Sequence, residues 1–470
     1  MRYLAGARWF AGKGQPVELR SLANLPWLTV AGEWPAVRFE IAEVVYSSAA
    51  NFVADSPQQD LAEFYALGVA YRQEAVGRMN HAEIARFDHP ELGAVVGYDA
   101  MQDAEACQVI LRQLIAEAWY RDPDAAVRFH LSAPEGLSPD LAPKIYTGQQ
   151  SNTSVMFGEV AMIKLFRRLE LGRNLDIEVH DALSRIHTAD VAQLYGWVEG
   201  SWTARGETRH ADLAMAVEQL AGARDGWALA LHSLQHDASF AAEASALGKA
   251  LAETHGALRE AFPTAQMSGA SVAAVMQERL GRATETSDHL KPYATQLRQI
   301  FDQLGSESLR VQRVHGDFHL GQTLHTTRGW KIIDFEGEPA KSLAERAAPD
   351  SIWRDIAGML RSFGYAAASV PGPDSAAWAA ECRSAFLDGY AGGSLKPAEA
   401  VTLRAYEADK AVYEVIYELR NRPDWVDIPL AAIAALGGPG NSNGSTLNWH
   451  GSPAGQPAEI GIATTTLKEQ

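Results

Sequence analysis

The 470-residue chain has only two cysteines, a shortage of positive charge and no long apolar run. Cys107 and Cys382 lie far apart and have no partners at metal-ligand spacing, which excludes a disulfide scaffold and a cysteine-bound metal. A formal net charge of −17 argues against nucleic acid or an anionic membrane as the main partner. No segment approaches the length of a membrane span, and the N-terminus carries no signal-peptide pattern. We therefore expect a soluble, cytoplasmic protein.

What the chain does contain is an ordinary globular composition, 47% apolar and 21% charged. Val37, Phe39 and Ile41 alternate with polar residues and predict a half-buried strand in an N-terminal region over 1–132. Residues 133–220 predict a small antiparallel sheet with one helix, and 221–436 are mostly helical in pattern. The Gly-, Ser- and Asn-rich residues 437–470 predict a flexible tail.

The strongest local signal is VHGDFHLGQ at 314–322, followed by IIDFE at 332–336. Phosphoryl transfer to an alcohol needs a carboxylate that accepts the hydroxyl proton and oxygen ligands that hold Mg²⁺ on the ATP phosphates. Asp317 and Gln322 have the base-to-ligand spacing of protein kinases, with Gln in place of Asn, and Asp334 ends the next apolar strand. The pattern predicts one base, Asp317, and three magnesium ligands, Gln322, Asp334 and Glu336.

A phosphate-binding lysine is predicted upstream, where Lys164 ends the strand VAMIK. An acidic residue on the next helix would orient it, Glu178 as first candidate and Asp176 as second. The turn QQSNTS has no G-x-G-x-x-G motif. Its polar residues Ser151, Asn152, Thr153 and Ser154 would instead offer hydroxyl and backbone N–H groups to the phosphates.

A hinge is predicted between the small sheet and the helical part. The backbone near Glu218 and Leu220 would bind adenine there, an expectation that rests on position alone. Asp355 is predicted to bond to the backbone of the Asp317 loop, and His315 to orient that loop by packing and hydrogen bonding.

The helix predicted over 408–421 has two stripes of residues at helical spacing. Val412, Val415, Ile416 and Leu419 form an apolar stripe. The second stripe is polar and aromatic, and consists of Lys410, Tyr413, Glu414 and Tyr417, with Arg420 and Asn421 nearby. Tyrosine rings pack against sugar C–H faces, and charged and amide groups bond to hydroxyls, so this stripe suits a carbohydrate. A solvated face with a Lys–Glu pair would show the same pattern.

With these residues in view, the chain resembles the maltokinase family of actinobacterial type. The matching blocks are RWFAGKG, VHGDFHLGQTL, KIIDFEGEPAKSLAERAAPDSIWRDIAGMLRSF and YEVIYELRNRPDWVDIPLAAI. The resemblance implies an aminoglycoside-phosphotransferase-like, protein-kinase-like α+β fold of two lobes. Its N-lobe would be a small antiparallel sheet with an added N-terminal cap region, and its C-lobe mainly helical.

The resemblance also implies a reaction, which is ATP- and Mg²⁺-dependent phosphorylation of maltose to maltose 1-phosphate for α-glucan and glycogen synthesis. Asp317 would be the base, and Gln322 and Asp334 the metal ligands. Residues of the sugar site would be Lys410, Tyr413, Glu414 and Tyr417, with His319, Arg346, Arg420 and Asn421 as weaker candidates. A trehalose synthase is the implied protein partner.

Two alternatives stay open at this point. The first is a kinase of the same fold that acts on glucosamine, glucose or another small alcohol; Lys410 and Arg420 suit neutral hydroxyls better than an ammonium group. The second is a catalytically silent ATP-binding partner in a trehalose and α-glucan enzyme assembly. The presence of Lys164, Asp317 and Asp334 together argues against it.

Overall fold

The structure is a computed structural model that describes residues 2–46, 62–146 and 152–436. They form two compact units. The first takes the described residues up to 181 and also 192–221, and the second takes 182–191 and 222–436. The predicted tail, 437–470, and Ser151 lie outside the described residues.

The first unit is built mainly from antiparallel strands. Its elements, in chain order, are α1 (Arg2–Gly6), β1 (Val17–Asn24), β2 (Ala36–Tyr46), β3 (Ala62–Arg72), β4 (Glu83–His89), β5 (Gly93–Asp99), α2 (Ala104–Ile115), β6 (Trp119–Arg121), β7 (Ala125–Leu131), β8 (Pro143–Ile145), β9 (Thr153–Phe157), β10 (Ala161–Leu165), β11 (Arg168–Leu169), α3 (Leu175–Arg185), β12 (Leu194–Ala204) and β13 (Glu207–Glu218). The last residues of α3 fall in the second unit.

Two sheets organise these strands. One has the order β1-β2-β3-β5-β4, with β11 paired to β3, and the other has the order β6-β7-β12-β13-β10-β9-β8. Lys164 on β10 is paired with Ser154 on β9 and with Met215 on β13, so the predicted phosphate-binding lysine lies on a central strand.

The boundary predicted at residue 132 does not separate the two sheets. Strands β6 and β7 lie before it, yet β7 pairs with β12 in the second sheet. One core also joins the sheets, because Phe39 and Phe64 of the first sheet pack in the same cluster as Phe129 and Phe157 of the second. Which sheet a strand joins depends on partners that are far apart in sequence, and local composition does not predict these partners.

Strand β2 is buried on both faces, whereas its alternation predicts one solvated face. Val37 and Phe39 are each 1% exposed, but Arg38 is only 7% exposed and Glu40 6%. The polar side chains of this strand are thus inside the protein, where each needs a bonding partner.

The second unit is mainly helical, as predicted. Its elements are β14 (Arg224–Asp225), α4 (Gly226–Gln235), α5 (Ala241–Ala261), β15 (Ala265–Ser268), α6 (Gly269–Thr286), α7 (Ala294–Asp302), β16 (Ser308–Val311), β17 (Thr323–Thr326), β18 (Gly329–Ile332), α8 (Leu343–Ala347), α9 (Trp353–Ser369), α10 (Ser375–Ala391), α11 (Pro397–Asn421) and α12 (Asp427–Leu436). Strands β14, β17 and β18 form one small sheet, and β15 and β16 another. The sheets of the first unit and the helices of the second confirm the predicted α+β class.

Among the residues described, every helix is too short or too polar to cross a bilayer.

Candidate active site

The loop between β16 and β17 carries the predicted base, and helix α9 lies directly against it. Gly316 has a φ of 87°, a left-handed conformation that glycine adopts without steric cost. On α9, a Cβ added to Gly358 would lie 2.4 Å from the Phe318 carbonyl oxygen. Because Gly358 has no side chain, the backbone of α9 can lie directly against the loop and fix the position of the loop.

Asp355, in the first turn of α9, holds the loop as predicted. Its carboxylate accepts hydrogen bonds from the backbone N–H groups of His315 and Gly316, both at 2.8 Å, and bonds to His255 Nε2 at 2.9 Å. His315 is 2% exposed, and its Nε2 lies 2.9 Å from the Ile333 carbonyl oxygen. The expected positioning role of both residues is confirmed by these contacts.

Asp317 faces the polar stripe of α11. Lys410 Nζ lies 3.4 Å from Asp317 Oδ1, and both side chains are 24% exposed. Burial would raise the pKa of the Asp317 carboxyl, but Lys410 and two neighbouring histidines outweigh it and hold that pKa below its ordinary value. Asp317 is therefore ionised at neutral pH, the state in which a carboxylate accepts a proton.

The predicted metal ligands lie together within the second unit. Gln322 Nε2 is 3.2 Å from Asp334 Oδ2, and one carboxylate oxygen each of Asp334 and Glu336 lie within 4.8 Å of one another. Asp334 has a left-handed φ of 68°, a conformation that costs free energy in a non-glycine residue and often marks a functional site. Carboxylate and amide oxygens are the donors that Mg²⁺ prefers, so this set fits the ion.

Two tyrosines of the predicted acceptor stripe form a platform on α11. The rings of Tyr413 and Tyr417 stack with centroids 6.3 Å apart and planes 27° apart. Lys410 Nζ lies 5.2 Å from the Tyr413 centroid. Tyr417 is 38% exposed, and the Arg422 guanidinium lies over its ring, 5.6 Å from the centroid.

Glu414 differs from the expectation for this stripe. It is 7% exposed, its Oε2 accepts a hydrogen bond from Nε of Arg361 on α9 at 2.8 Å, and the same oxygen forms an ion pair with Arg361 Nη2 at 2.7 Å. Glu414 lies at the edge of the polar and aromatic stripe, and its carboxylate faces the neighbouring helix α9. The pair joins α9 to α11, and a sugar contact by Glu414 stays a prediction.

The weaker candidates occupy several places in the second unit. His319 Nδ1 accepts from the Gly321 N–H at 3.1 Å, and burial lowers the pKa of His319. Arg346 Nη1 donates to the Glu336 carbonyl oxygen at 2.8 Å, beside the metal ligands. Arg420 is exposed, and Asn421 donates its side-chain amide to the Tyr417 carbonyl oxygen at 2.8 Å.

In the first unit, Lys164 contacts the second acidic candidate. Lys164 Nζ lies 3.4 Å from Asp176 Oδ2 on α3. Asp176 is 2% exposed and also contacts His180 one turn further along the helix. A role for Glu178, also on α3, stays a prediction.

The described part of the polar turn is bonded to a buried arginine. Thr153 Oγ1 accepts from Arg167 Nε at 2.7 Å, and Asn152 Oδ1 accepts from the Arg167 N–H at 3.4 Å. Arg167 in turn donates to Asp99 at 2.6 Å. These contacts tie the turn to the first sheet, and phosphate binding by Asn152 and Thr153 stays a prediction.

The predicted hinge begins at the end of β13. The Glu218 N–H donates to the Gln193 carbonyl oxygen at 2.8 Å, so the sheet already uses this donor. Leu220 lies two residues beyond the strand and packs partly buried against the core of the first unit. Adenine binding there stays a prediction.

Sequence reasoning missed three residues that support the site. Arg361 pairs with Glu414. His255 bonds to Asp355 through Nε2, and its Nδ1 lies 2.8 Å from the Tyr390 hydroxyl. Glu338 is 7% exposed. Burial raises the pKa of Tyr413 most, and the negative charge and hydrogen bond of Glu338 raise it further. Only Glu338 left a signal, because it lies two residues after Glu336 in the same block.

Two family models match the chain. Residues 3–103 match the maltokinase N-terminal cap domain, and residues 177–400 match the phosphotransferase enzyme family. The first match covers α1 to β5 and ends at the start of α2, before the cap boundary predicted from the sequence. The second contains Asp317, Gln322 and Asp334.

Similar proteins carry the name glucosamine kinase. One from Streptacidiphilus jiangxiensis is 28% identical over 354 residues, which are 67% of this chain and 77% of that protein. Another from Mycolicibacterium smegmatis is 27% identical over 323 residues, 62% of this chain and 78% of that protein. A solved glucosamine kinase in complex with glucosamine, ADP and inorganic phosphate is 20% identical with a TM-score of 0.62, and the match covers 93% of this chain and 98% of that one. That likeness confirms a kinase-like fold.

Proposed function

We propose that the chain is an ATP-dependent sugar kinase of the maltokinase type, whose acceptor is maltose and whose product is maltose 1-phosphate, for α-glucan and glycogen synthesis. The matches to the maltokinase N-terminal cap domain and to the phosphotransferase enzyme family support this proposal. One observation carries the proposal. Lys410, the first residue of the predicted sugar-binding stripe, contacts the predicted base Asp317 at 3.4 Å. A sugar seated on the Tyr413 and Tyr417 rings would thus have a hydroxyl near a carboxylate.

In the proposed reaction, Asp317 Oδ1 or Oδ2 accepts the proton of the anomeric hydroxyl as that oxygen attacks the terminal phosphorus of ATP. The bond from that phosphorus to the bridging oxygen breaks, and ADP leaves with the electron pair. Lys410 keeps the carboxylate ionised and orients it. Gln322, Asp334 and Glu336 are the proposed holders of Mg²⁺, which when bound neutralises phosphate charge. In the first unit, Lys164 is the proposed phosphate contact.

The charges around the stripe favour a neutral sugar over an amino sugar. Three carboxylates near the stripe have cationic partners. Asp317 lies 3.4 Å from Lys410, Glu338 lies 3.3 Å from Lys341, and Glu414 lies 2.7 Å from Arg361. An ammonium group would have to compete with these lysines and the arginine, whereas hydroxyls bond to paired charges without displacing them.

Glucosamine is the second candidate acceptor, because the similar proteins from Streptacidiphilus jiangxiensis and Mycolicibacterium smegmatis are named glucosamine kinases. We further propose a cytoplasmic location, where ATP is available. The trehalose synthase partner stays a prediction from the resemblance.

A sugar panel tests the proposal. The purified protein would be given Mg-ATP with maltose, glucose, glucosamine or no sugar, and ADP release and the mass of the product would be measured, with Asp317→Asn as the control. We expect ADP release with maltose and a product one phosphate heavier. A higher kcat/KM for glucosamine than for maltose would assign the second acceptor, and no sugar-dependent ADP release would contradict both.

A further inference from the structure

A cavity of about 420 Å³ lies in the first sheet of the first unit, within the region that matches the cap domain. Its volume is in the range of small-molecule sites, about 300–1,000 Å³. None of the residues assigned above to phosphoryl transfer lines it. Its walls come from β1 to β5 and include Arg38, Glu40, Tyr71, Phe87 and His89.

The floor of this cavity, referred to below as the cap cavity, is a buried ion pair. Arg38 Nε and Nη2 each lie 2.8 Å from Glu40 Oε1, and the Tyr71 hydroxyl donates to the same oxygen. Within the described residues these bonds leave Arg38 Nη1 as a donor and Glu40 Oε2 as an acceptor without a protein partner. Both side chains are more than nine-tenths buried, with 9% and 7% exposed, and both line the cavity, so a ligand in it can bond to the two atoms.

The walls of the cap cavity are aromatic. The ring centroids of Tyr71 and Phe87 are 6.1 Å apart, and those of Tyr71 and His89 are 5.4 Å apart. Trp27 packs edge-on against Tyr71 at 5.6 Å and carries the Arg38 guanidinium over its ring at 4.4 Å. At the rim, Phe87 is 43% exposed and Leu22 46%, so apolar surface is open to solvent beside a buried donor and acceptor.

We propose that the cap cavity binds a neutral sugar of one to three rings. The Arg38–Glu40 pair has no net charge, so a carboxylate or an ammonium ligand would bond to one partner and leave the other charge buried without compensation. A hydroxyl group both donates and accepts, and neighbouring hydroxyls meet the free acceptor of Glu40 and the free donor of Arg38 together. The aromatic walls pack against sugar C–H faces.

This site is separate in sequence and chemistry from the proposed acceptor site on α11. Its occupant is therefore independent of the sugar that is phosphorylated, and the inference does not rest on the proposed function.

Fluorine NMR of the full chain tests the site through Trp27. The protein would carry 5-fluorotryptophan, the Trp27 resonance would be assigned with Trp27→Phe, and maltotriose would be titrated. Ala85 lines the cavity and is exposed, so Ala85→Phe narrows the cavity without entering the core. Ala94→Phe is the matched control, because Ala94 is an exposed alanine on the adjacent β5 and does not line the cavity.

We expect a saturable shift of the Trp27 resonance in the wild type and in Ala94→Phe, and binding weakened by at least about tenfold in Ala85→Phe. Sugar kinase activity should be unchanged in both variants, which also reports that they fold. No Trp27 shift, or the same shift in Ala85→Phe, would overturn the inference. So would a shift produced by benzoate or choline and not by maltotriose, since it would assign a charged ligand.

Discussion

Two aspartates of the second unit, Asp317 on the loop between β16 and β17 and Asp355 on helix α9 beside it, are held in opposite ways. Asp355 is 0% exposed and makes three hydrogen bonds of 2.8–2.9 Å, two of them to the loop backbone. Asp317 is 24% exposed and has one long contact, 3.4 Å, to Lys410. A carboxylate such as Asp355, which already accepts several hydrogen bonds, fixes the position of its partners. A carboxylate such as Asp317, which has one long contact, can accept a proton from a substrate. The comparison predicts that the first carries stability and the second carries chemistry.

The largest expected effect is on turnover. Asp317→Asn removes the proton acceptor while preserving volume, so kcat should fall by ~10²–10⁴-fold. The thermal unfolding midpoint should stay near that of the wild type, because the side chain has one weak contact. Activity within about threefold of the wild type, measured by ADP release with the acceptor sugar, would remove Asp317 from the role of base.

Asp355→Asn should show the reverse balance. Its carboxylate meets two backbone donors and His255, and an amide oxygen cannot meet all three. Leaving a buried donor without its acceptor costs about 1–3 kcal/mol, so the unfolding midpoint should fall. Asp388→Asn, an exposed change on α10, is the control and should leave the midpoint unchanged. Equal midpoints for the two variants would show that the loop does not depend on Asp355.

The same contacts give this prediction a pH dependence. Burial raises the pKa of Asp355, but the hydrogen bond and charge of His255 and the loop N–H of Gly316 outweigh it and hold the pKa below its ordinary value. Ionised Asp355 therefore contributes stability above pH ~4, and that stability is lost as the pH falls through the lower folded-state pKa. The gap between the wild type and Asp355→Asn should narrow on acidification, as unfolding midpoints at pH 7 and below 4 would show.

Glu414→Gln extends the comparison to the helix pair α9 and α11. It leaves the Arg361 guanidinium buried without its carboxylate, so we expect a loss of up to about 3 kcal/mol in stability. The matched control is Glu278→Gln, which breaks an exposed pair with Arg282 at 2.8 Å and should cost less than about 1 kcal/mol. Chemical denaturation that ranks the control as the more damaging change would contradict the structural role of Glu414.

Tyr417→Phe should give the smallest effect. It removes a hydroxyl and keeps the ring, so a lost hydrogen bond to the sugar should lower kcat/KM for the acceptor by roughly tenfold, the equivalent of ~1–3 kcal/mol. The KM for ATP should hardly change. Tyr293→Phe, the same change outside α11, is the control. An unchanged kcat/KM for the sugar would mean that Tyr417 belongs to a solvated face.

The sequence was most informative where spacing along the chain sets spacing in space. Asp317, Gln322 and Asp334 flank the short strands β17 and β18, and the motif predicted the contact between Gln322 and Asp334. The contact of Asp355 with the loop was also predicted. The orientation of Glu414 did not, because helical spacing does not tell which neighbouring helix covers a given face. Arg361, its partner, lies 53 positions away in sequence.

The first unit shows the same limit for strands. The alternation of Arg38 and Glu40 with apolar residues predicts a solvated face, but the side chains of Trp27, Tyr71 and His89 cover that face from other parts of the chain. Likewise, the pairing of β7 with β12 places a strand from before residue 132 in the second sheet. Both outcomes depend on contacts between distant segments, which local patterns do not contain.

The identity of the acceptor is the central claim, and a competition in one tube tests it most directly. Equal concentrations of maltose, glucose and glucosamine would be incubated with the enzyme and limiting Mg-ATP, and the phosphorylated products quantified by ³¹P NMR. In such a mixture the product ratio equals the ratio of the kcat/KM values. We predict that maltose 1-phosphate is the main product; glucosamine phosphate as the main product would contradict the assignment.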